Sequence, residues 1–204
     1  MTTVGRWNPN KVRERVLNGT WVSAEELGGM VLLTPTSIAY TGTSASIGAN
    51  GSVEFSAITA LTLNGVFTAD YDNYMIAWRG DNSVSAGWRA QFTLAATPST
   101  TGYTRQYISA NGTSVTAARA TSTSMESIVA SAATQRAGFT VYLFGPSLAQ
   151  PTAVRSVSVR DDSSARIFDS AFTHSVSTAY DGIYFFPSSG DSTGLVSVYG
   201  LVGA

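Results

Sequence analysis

Few residues in this chain are reactive enough for catalysis, and their spacing limits what they can do. His174 is the only histidine and there is no cysteine, so a two-histidine metal site, thiolate ligands and disulfides are excluded. A Ser-His-Asp relay through His174 would need Asp169 or Asp181 as its carboxylate. No Gly-x-Ser-x-Gly elbow precedes a candidate serine, however. His174 is therefore expected at a surface or interface on a Ser- and Thr-rich strand. The close acidic pairs are Asp70 with Asp72 and Asp161 with Asp162. Asp70-x-Asp72-Asn73 begins like a calcium loop but lacks the downstream glutamate. Side chains of this type bond their own backbone in tight connections, so a turn cap is the expectation. Glycosidase chemistry needs two carboxyls facing each other across a cleft, which spacing alone does not define. No glycine-rich loop follows a strand and opens a helix, as phosphate binding requires. These residues predict a non-enzymatic protein with no cofactor and no metal.

Aromatic side chains admit a different chemistry. Tyr103, Tyr107, Tyr180, Tyr184, Trp78 and Trp88 could stack on sugar rings if loop tips exposed them. Alternating patterns place most of them in a core instead. The pairs Trp88-Arg89 and Tyr180-Asp181 remain, and they make Trp88 and Tyr180 the candidates for contact with a sugar or other surface ligand.

The elements that must position these residues read as strands. Ile58, Leu61 and Leu63 form a strand with one buried face and a break near Ala60, and Asn64-Gly65 is a turn signal. Tyr74, Ile76 and Trp78 then alternate with Met75 and Ala77, a strand apolar on both faces. Such a strand is buried on both sides or faces a partner chain, so Tyr74, Ile76 and Trp78 are candidates for a subunit interface. Ala49-Asn50-Gly51 is expected to turn one hairpin and Asn111-Gly112 another. Residues 87–95 place Trp88, Ala90, Phe92 and Leu94 on one face. Residues 103–110 alternate without naming their buried face. A surface course is expected for residues 121–133, with a short strand at Ile128-Val129. Strands follow at 139–144, at 154–160 (with Val154, Val157 and Val159 imperfectly alternating) and at 167–175. Segments 182–186 and 195–201 are expected to be the last pair. Many short strands separated by turn signals predict an antiparallel β-sandwich of jelly-roll type over residues 37–204.

Residues 1–36 differ in texture. Asn8-Pro9 is a helix start, residues 11–17 the helix body and Asn18-Gly19 its stop. Ser23-Ala-Glu-Glu26 fits the capping box of a second short helix. Val12, Val16 and Leu17 share an apolar face, Trp7 and Trp21 bracket the region, and Lys11, Arg13 and Arg15 are basic. A segment this short cannot build a core of its own. It is expected to be a helical anchor packing on the sheet domain or on an assembly partner, with Trp7, Lys11, Val12, Arg13, Arg15, Val16, Leu17 and Trp21 as its attachment residues.

Composition narrows the partners. Charged residues are 12% of the chain and the net charge is −1, so no long-range field attracts nucleic acid. Apolar runs such as residues 30–33 are too short to span a bilayer, and no secretory leader is legible. The chain is expected to be made in a cytoplasm.

The run Leu63-Asn64-Gly65-Val66-Phe67-Thr68-Ala69-Asp70-Tyr71-Asp72-Asn73-Tyr74 resembles a segment of bacteriophage minor tail and tail-fibre proteins. The end Gly194-Leu195-Val196-Ser197-Val198-Tyr199-Gly200-Leu201 is similar to the Val-Tyr-Gly ending of the same proteins. The resemblance covers the β domain and not residues 1–36. It implies a virion structural protein, held to the particle by its N-terminal segment and presenting a β-sandwich outward to a host-surface glycan or protein. By analogy it implies a homotrimer that contacts other tail or capsid proteins. A capsid decoration protein is the alternative, and a polysaccharide-degrading tail enzyme a third reading.

Overall fold

The computed structural model of the protein describes residues 29–131, 136–160 and 166–202. Among these residues every regular element is a strand and every pairing is antiparallel. The expected mostly antiparallel β architecture is therefore present. The helices expected in the N-terminal segment lie outside the described residues, as does the turn expected at Asp161-Asp162.

The chain opens with β1 (Met30–Leu33), β2 (Ser37–Ile47) and β3 (Val53–Asn64). The sheet thus reaches back to Met30, and β1 brings Val31 and Leu33 against the core. Between β2 and β3, Gly48 N–H bonds the Ser52 carbonyl and Asn50 Oδ1 accepts from Ser52 N–H, which makes the Ala49-Asn50-Gly51 hairpin. The predicted break near Ala60 is a register shift against Thr41 and Gly42. Next come β4 (Asn73–Asn82), β5 (Ala86–Leu94), the short β6 (Thr97–Pro98), β7 (Tyr103–Asn111) and β8 (Ser114–Ser122). Gly112, with φ of 58°, opens the turn between β7 and β8. The remaining strands are β9 (Met125–Ser131), β10 (Ala137–Phe144), β11 (Thr152–Arg160), β12 (Arg166–His174), β13 (Gly182–Pro187) and β14 (Ser192–Leu201).

One curled sheet results, in the order β6-β5-β13-β3-β14-β4-β10-β11-β12-β7-β8, with β1 on β14, β2 on β3 and β9 on β5. Its two halves face each other across an aromatic core. Trp78 of β4 lies 5.1 Å from Trp88 of β5, Phe139 of β10 lies 6.5 Å from Phe185 of β13, and Phe92 of β5 lies 6.3 Å from Tyr103 of β7. Each such ring removes a large apolar area from water, the dominant favourable term in folding.

Several strand expectations change in this setting. β13 and β14 are not a pair, because β3 lies between them. Leu94 is exposed at the end of β5, where the two-residue loop Ala95-Ala96 reverses the chain. The surface course expected over residues 121–133 holds β9, which buries Met125 and Ile128. This crossing strand also explains β11, where Val157 and Val159 point to solvent while Ser156 and Ser158 are buried. The small serines let the β9 backbone come close, and Ser156 Oγ donates to the Ile128 carbonyl at 3.0 Å.

Candidate functional site

The two segments that carry the family resemblance meet. Gly200 pairs with Tyr74, and Tyr199 with Met75, where β14 runs beside β4. A Cβ built on Gly200 would fall 2.5 Å from the Tyr71 ring, so glycine is required for that ring to lie against the backbone. Tyr74 closes the same corner from inside. Its hydroxyl accepts from Thr68 N–H at 2.8 Å and donates toward the Thr68 and Tyr71 carbonyls at 2.7 and 2.9 Å. Phe67 packs on the Tyr74 ring at 4.8 Å. The Asp70 carboxylate accepts from the Thr68 hydroxyl at 3.1 Å, and that hydroxyl in turn accepts from Asp70 N–H at 3.3 Å, so the side chain that caps the backbone of this turn is Thr68 rather than Asp70. The conspicuous Val-Phe-x6-Tyr and Val-Tyr-Gly patterns thus form one latch between β3, β4 and β14.

The burial of the named candidates corrects three expectations. Tyr74, Ile76 and Trp78 fill this chain's own core and are not open to a partner, while the other face of β4 carries the half-buried Met75 and Ala77. Because β4 lies between β14 and β10, its apolar character reflects a central strand. Trp88 and Tyr180 are likewise buried, so neither reaches a host surface. Trp88 Nε1 donates to Asn82 Oδ1 at 2.9 Å and to Ser192 Oγ at 3.1 Å. Ser192 Oγ bonds Asn82 Oδ1 in turn, and Asn82 Nδ2 donates to the Ala86 carbonyl at 2.9 Å. Such a network satisfies the indole inside an apolar layer. The attachment candidates Trp7, Lys11, Val12, Arg13, Arg15, Val16, Leu17 and Trp21 lie outside the described residues.

His174 is buried rather than at a surface, with 0% of its area exposed. Its ring lies 4.3 Å from Tyr103, 5.3 Å from Tyr180 and 5.5 Å from Phe92, and Nε2 bonds Ser99 Oγ at 3.1 Å. Burial pushes its pKa below the usual imidazole value, against the opposing pull of the Thr101 and Val176 carbonyls. Burial also pushes the Tyr103 hydroxyl up, opposed by its bond from Phe92 N–H. Neither suggested carboxylate partner is placed to relay with His174. Asp169 points from the opposite face of β12 to Arg155, at 2.7 Å, since residues five apart on a strand face opposite sides. Asp181 Oδ2 accepts from Ala95 N–H at 3.0 Å.

Among the described residues, no group of three or more His, Cys, Asp or Glu converges as a metal site would require. A shallow hollow of about 550 Å³ near Tyr103 is lined by Thr100, Thr101, Thr104, Thr121, Thr123 and Ser175. It offers neutral hydroxyls and no charge.

Accessible chemistry is found instead where β12, β7 and β8 extend past the aromatic core. On one face Tyr107 stacks on Phe168 at 4.9 Å and 20°, both half-buried, with the Arg105 guanidinium 4.7 Å from the Tyr107 ring centroid. Arg105 Nη1 also donates to the Glu126 carbonyl at 2.9 Å. An aromatic wall with an attached cation suits a polar ring such as a sugar. Of these three, the sequence pattern singles out Tyr107 for stacking and does not single out Phe168 or Arg105. The legible signal was Arg105-x-Tyr107, two residues apart and so on one face of a strand. On the other face Ile108, Val159 and Ile167 are each 54% exposed and Val115 is 72% exposed. Cross-strand pairing sets Val159, Ile167, Ala110 and Val115 in one row.

No family model matches this chain, and no curated protein matches it. Among solved structures it is similar to the marine PL-14 alginate lyase from Aplysia kurodai, over 83% of this chain and 86% of that one. The TM-score is 0.33 and the identity 7%, a likeness too slight to carry an inference about activity.

Proposed function

We propose that this chain is a non-enzymatic structural protein of a bacteriophage virion, of the minor tail or tail-fibre kind, whose curled sheet is a jelly-roll sandwich facing outward. The observation that carries this reading is the latch. The two separate segments that resemble such proteins interlock through Tyr71, Tyr74 and Gly200, so the resemblance falls on residues that join β4 to β14 in the middle of the sheet. The burial of His174 and its contact with Ser99 also support a role without catalysis. In this reading the N-terminal segment holds the protein to tail or capsid neighbours. The Tyr107–Phe168 wall, with Arg105, is the surface offered to a host glycan, in place of Trp88 and Tyr180.

Antibodies raised against the sheet domain, imaged on purified particles, test the proposal. Label on tails is the expected result. Label on heads would point to capsid decoration, and particles that carry no label would overturn the virion reading.

A further inference from the structure

The sheet ends on β8, and that edge is unguarded. Strands at sheet edges expose unpaired N–H and C=O groups, and proteins blunt them with bulges, prolines or lysines. β8 has none of these: its register with β7 runs unbroken from Tyr103–Ser122 to Asn111–Ser114, and Arg119 is its only charge. Among the described residues no strand lies on its far side. The β7–β8 loop is two residues long, so Asn111 and Ser114 are a hydrogen-bonded pair and the pattern alternates from there. Ser114, Thr116, Ala118, Ala120 and Ser122 therefore bond toward β7. Val115, Ala117, Arg119 and Thr121 direct their N–H and C=O groups outward from the edge.

We propose that β8 is a two-fold contact through which two copies of this chain join their sheets edge to edge. The outward groups are self-complementary about Ala118. Antiparallel pairing centred there sets Val115 against Thr121 and Ala117 against Arg119 of the second copy, and matches every outward donor with an acceptor, about eight bonds in all. Side chains that face each other stay on one side of the joined sheet, as the pleat requires. The two Arg119 side chains never stand directly opposite each other. Instead each lays its aliphatic stem along the other copy's Ala117, beside Ile108 in the next strand. Val115, the most exposed large apolar residue at 72%, gains a Thr121 neighbour. A same-patch contact of this kind closes on itself and stops at two. It takes the place of the subunit interface expected at the buried Tyr74, Ile76 and Trp78, and it predicts a dimer where the family analogy implied a trimer. This contact does not rest on the virion reading.

Because the chain has no cysteine, a single Ala118→Cys reports the register directly. Ala118 would sit on the two-fold axis in a non-hydrogen-bonded pair, with Cα atoms about 4.5 Å apart, within disulfide reach. Mild oxidation of the full-length variant should give a covalent dimer in high yield, whereas Thr116→Cys, facing Ala120, should give little. In light scattering at tens of micromolar, the natural chain should show twice its 21.4 kDa mass. Ala117→Pro, which removes an outward N–H and leaves the bonds to β7, should raise the dimer dissociation constant at least tenfold with an unchanged circular dichroism spectrum. Exchange of the Ala117 amide in the natural chain should slow as concentration rises, a readout that needs no variant. A monomer with fast Ala117 exchange at every concentration would overturn the proposal and leave the edge to a strand of another protein. A trimer indifferent to Ala117→Pro, or equal cross-linking at Thr116→Cys, would overturn it as well.

Discussion

At Tyr74 a single hydroxyl joins three backbone groups of the turn before β4, in a site closed to water. Tyr74→Phe leaves the Thr68 N–H and two carbonyls without that partner, and should destabilise the fold by about 1–3 kcal/mol. Gly200→Ala drives a methyl into the Tyr71 ring and should cost about 1–3 kcal/mol through overpacking. Both are read from urea unfolding. A double variant that loses less than the sum would show that the two residues act as one latch. The buried histidine makes a separate prediction about pH. Burial lowers the folded-state pKa of His174 beneath the ordinary value near 6.5, so the unfolded chain binds a proton more readily. Stability from this residue is fully present above about pH 6.5 and is lost as pH falls through the folded pKa. Melting temperature should decline over that interval in the natural chain, with a shallower decline in His174→Gln.

Among the elements, the β5–β6 hairpin is the one whose residues fit their backbone least. Ala95 and Ala96 have φ of 49° and 63°, the positive values that a type I′ turn requires and that alanine disfavours by roughly 1–2 kcal/mol. Asp181 holds the loop by accepting from Ala95 N–H. Combining Ala95→Asn with Ala96→Gly should raise the melting temperature by about 3–6 °C, since an asparagine–glycine pair adopts the turn with little strain. If the double substitution lowers it instead, the alanine methyls make packing contacts that outweigh the backbone term. The edge position of Leu94 follows from the same turn: the chain reverses before that side chain can reach the core.

For the whole molecule, the position of β1 divides the N-terminal segment into parts with different roles. Met30, Val31, Leu32 and Leu33 pair with Leu201, Gly200, Tyr199 and Val198, so β1 belongs to the sheet and covers the latch end of β14. Deleting residues 1–28 should leave the melting temperature nearly unchanged and, in the virion reading, abolish incorporation into particles. Deleting residues 1–36 also strips β1 from β14, and should lower melting by about 5–10 °C. Calorimetry on both truncations, with incorporation assayed in trans, separates attachment from folding. Equal melting of the two truncations would show that β1 adds nothing to the sheet, and normal incorporation of the shorter deletion would move attachment onto the sheet itself.

By itself the sequence determined the antiparallel β character, the hairpins at Ala49-Asn50-Gly51 and Asn111-Gly112 and the break near Ala60. Turn chemistry and alternation are local, acting over two to four residues. It also determined part of the core: Ile58, Leu61 and Leu63 of β3 and Ala90 and Phe92 of β5 are buried, whereas Leu94, on the same predicted face of β5, is exposed. Alternation, however, gives a strand two faces without saying which turns inward or what covers it. Only the tertiary structure set β3 between β13 and β14, laid β9 over the serines of β11, and turned Val157 and Val159 to solvent. The same long-range pairing enclosed Trp88, Tyr180 and His174, whose side chains would suit a surface as well as a core. It left β8 as an open edge, because whether a strand has one neighbour or two depends on segments far away in the chain.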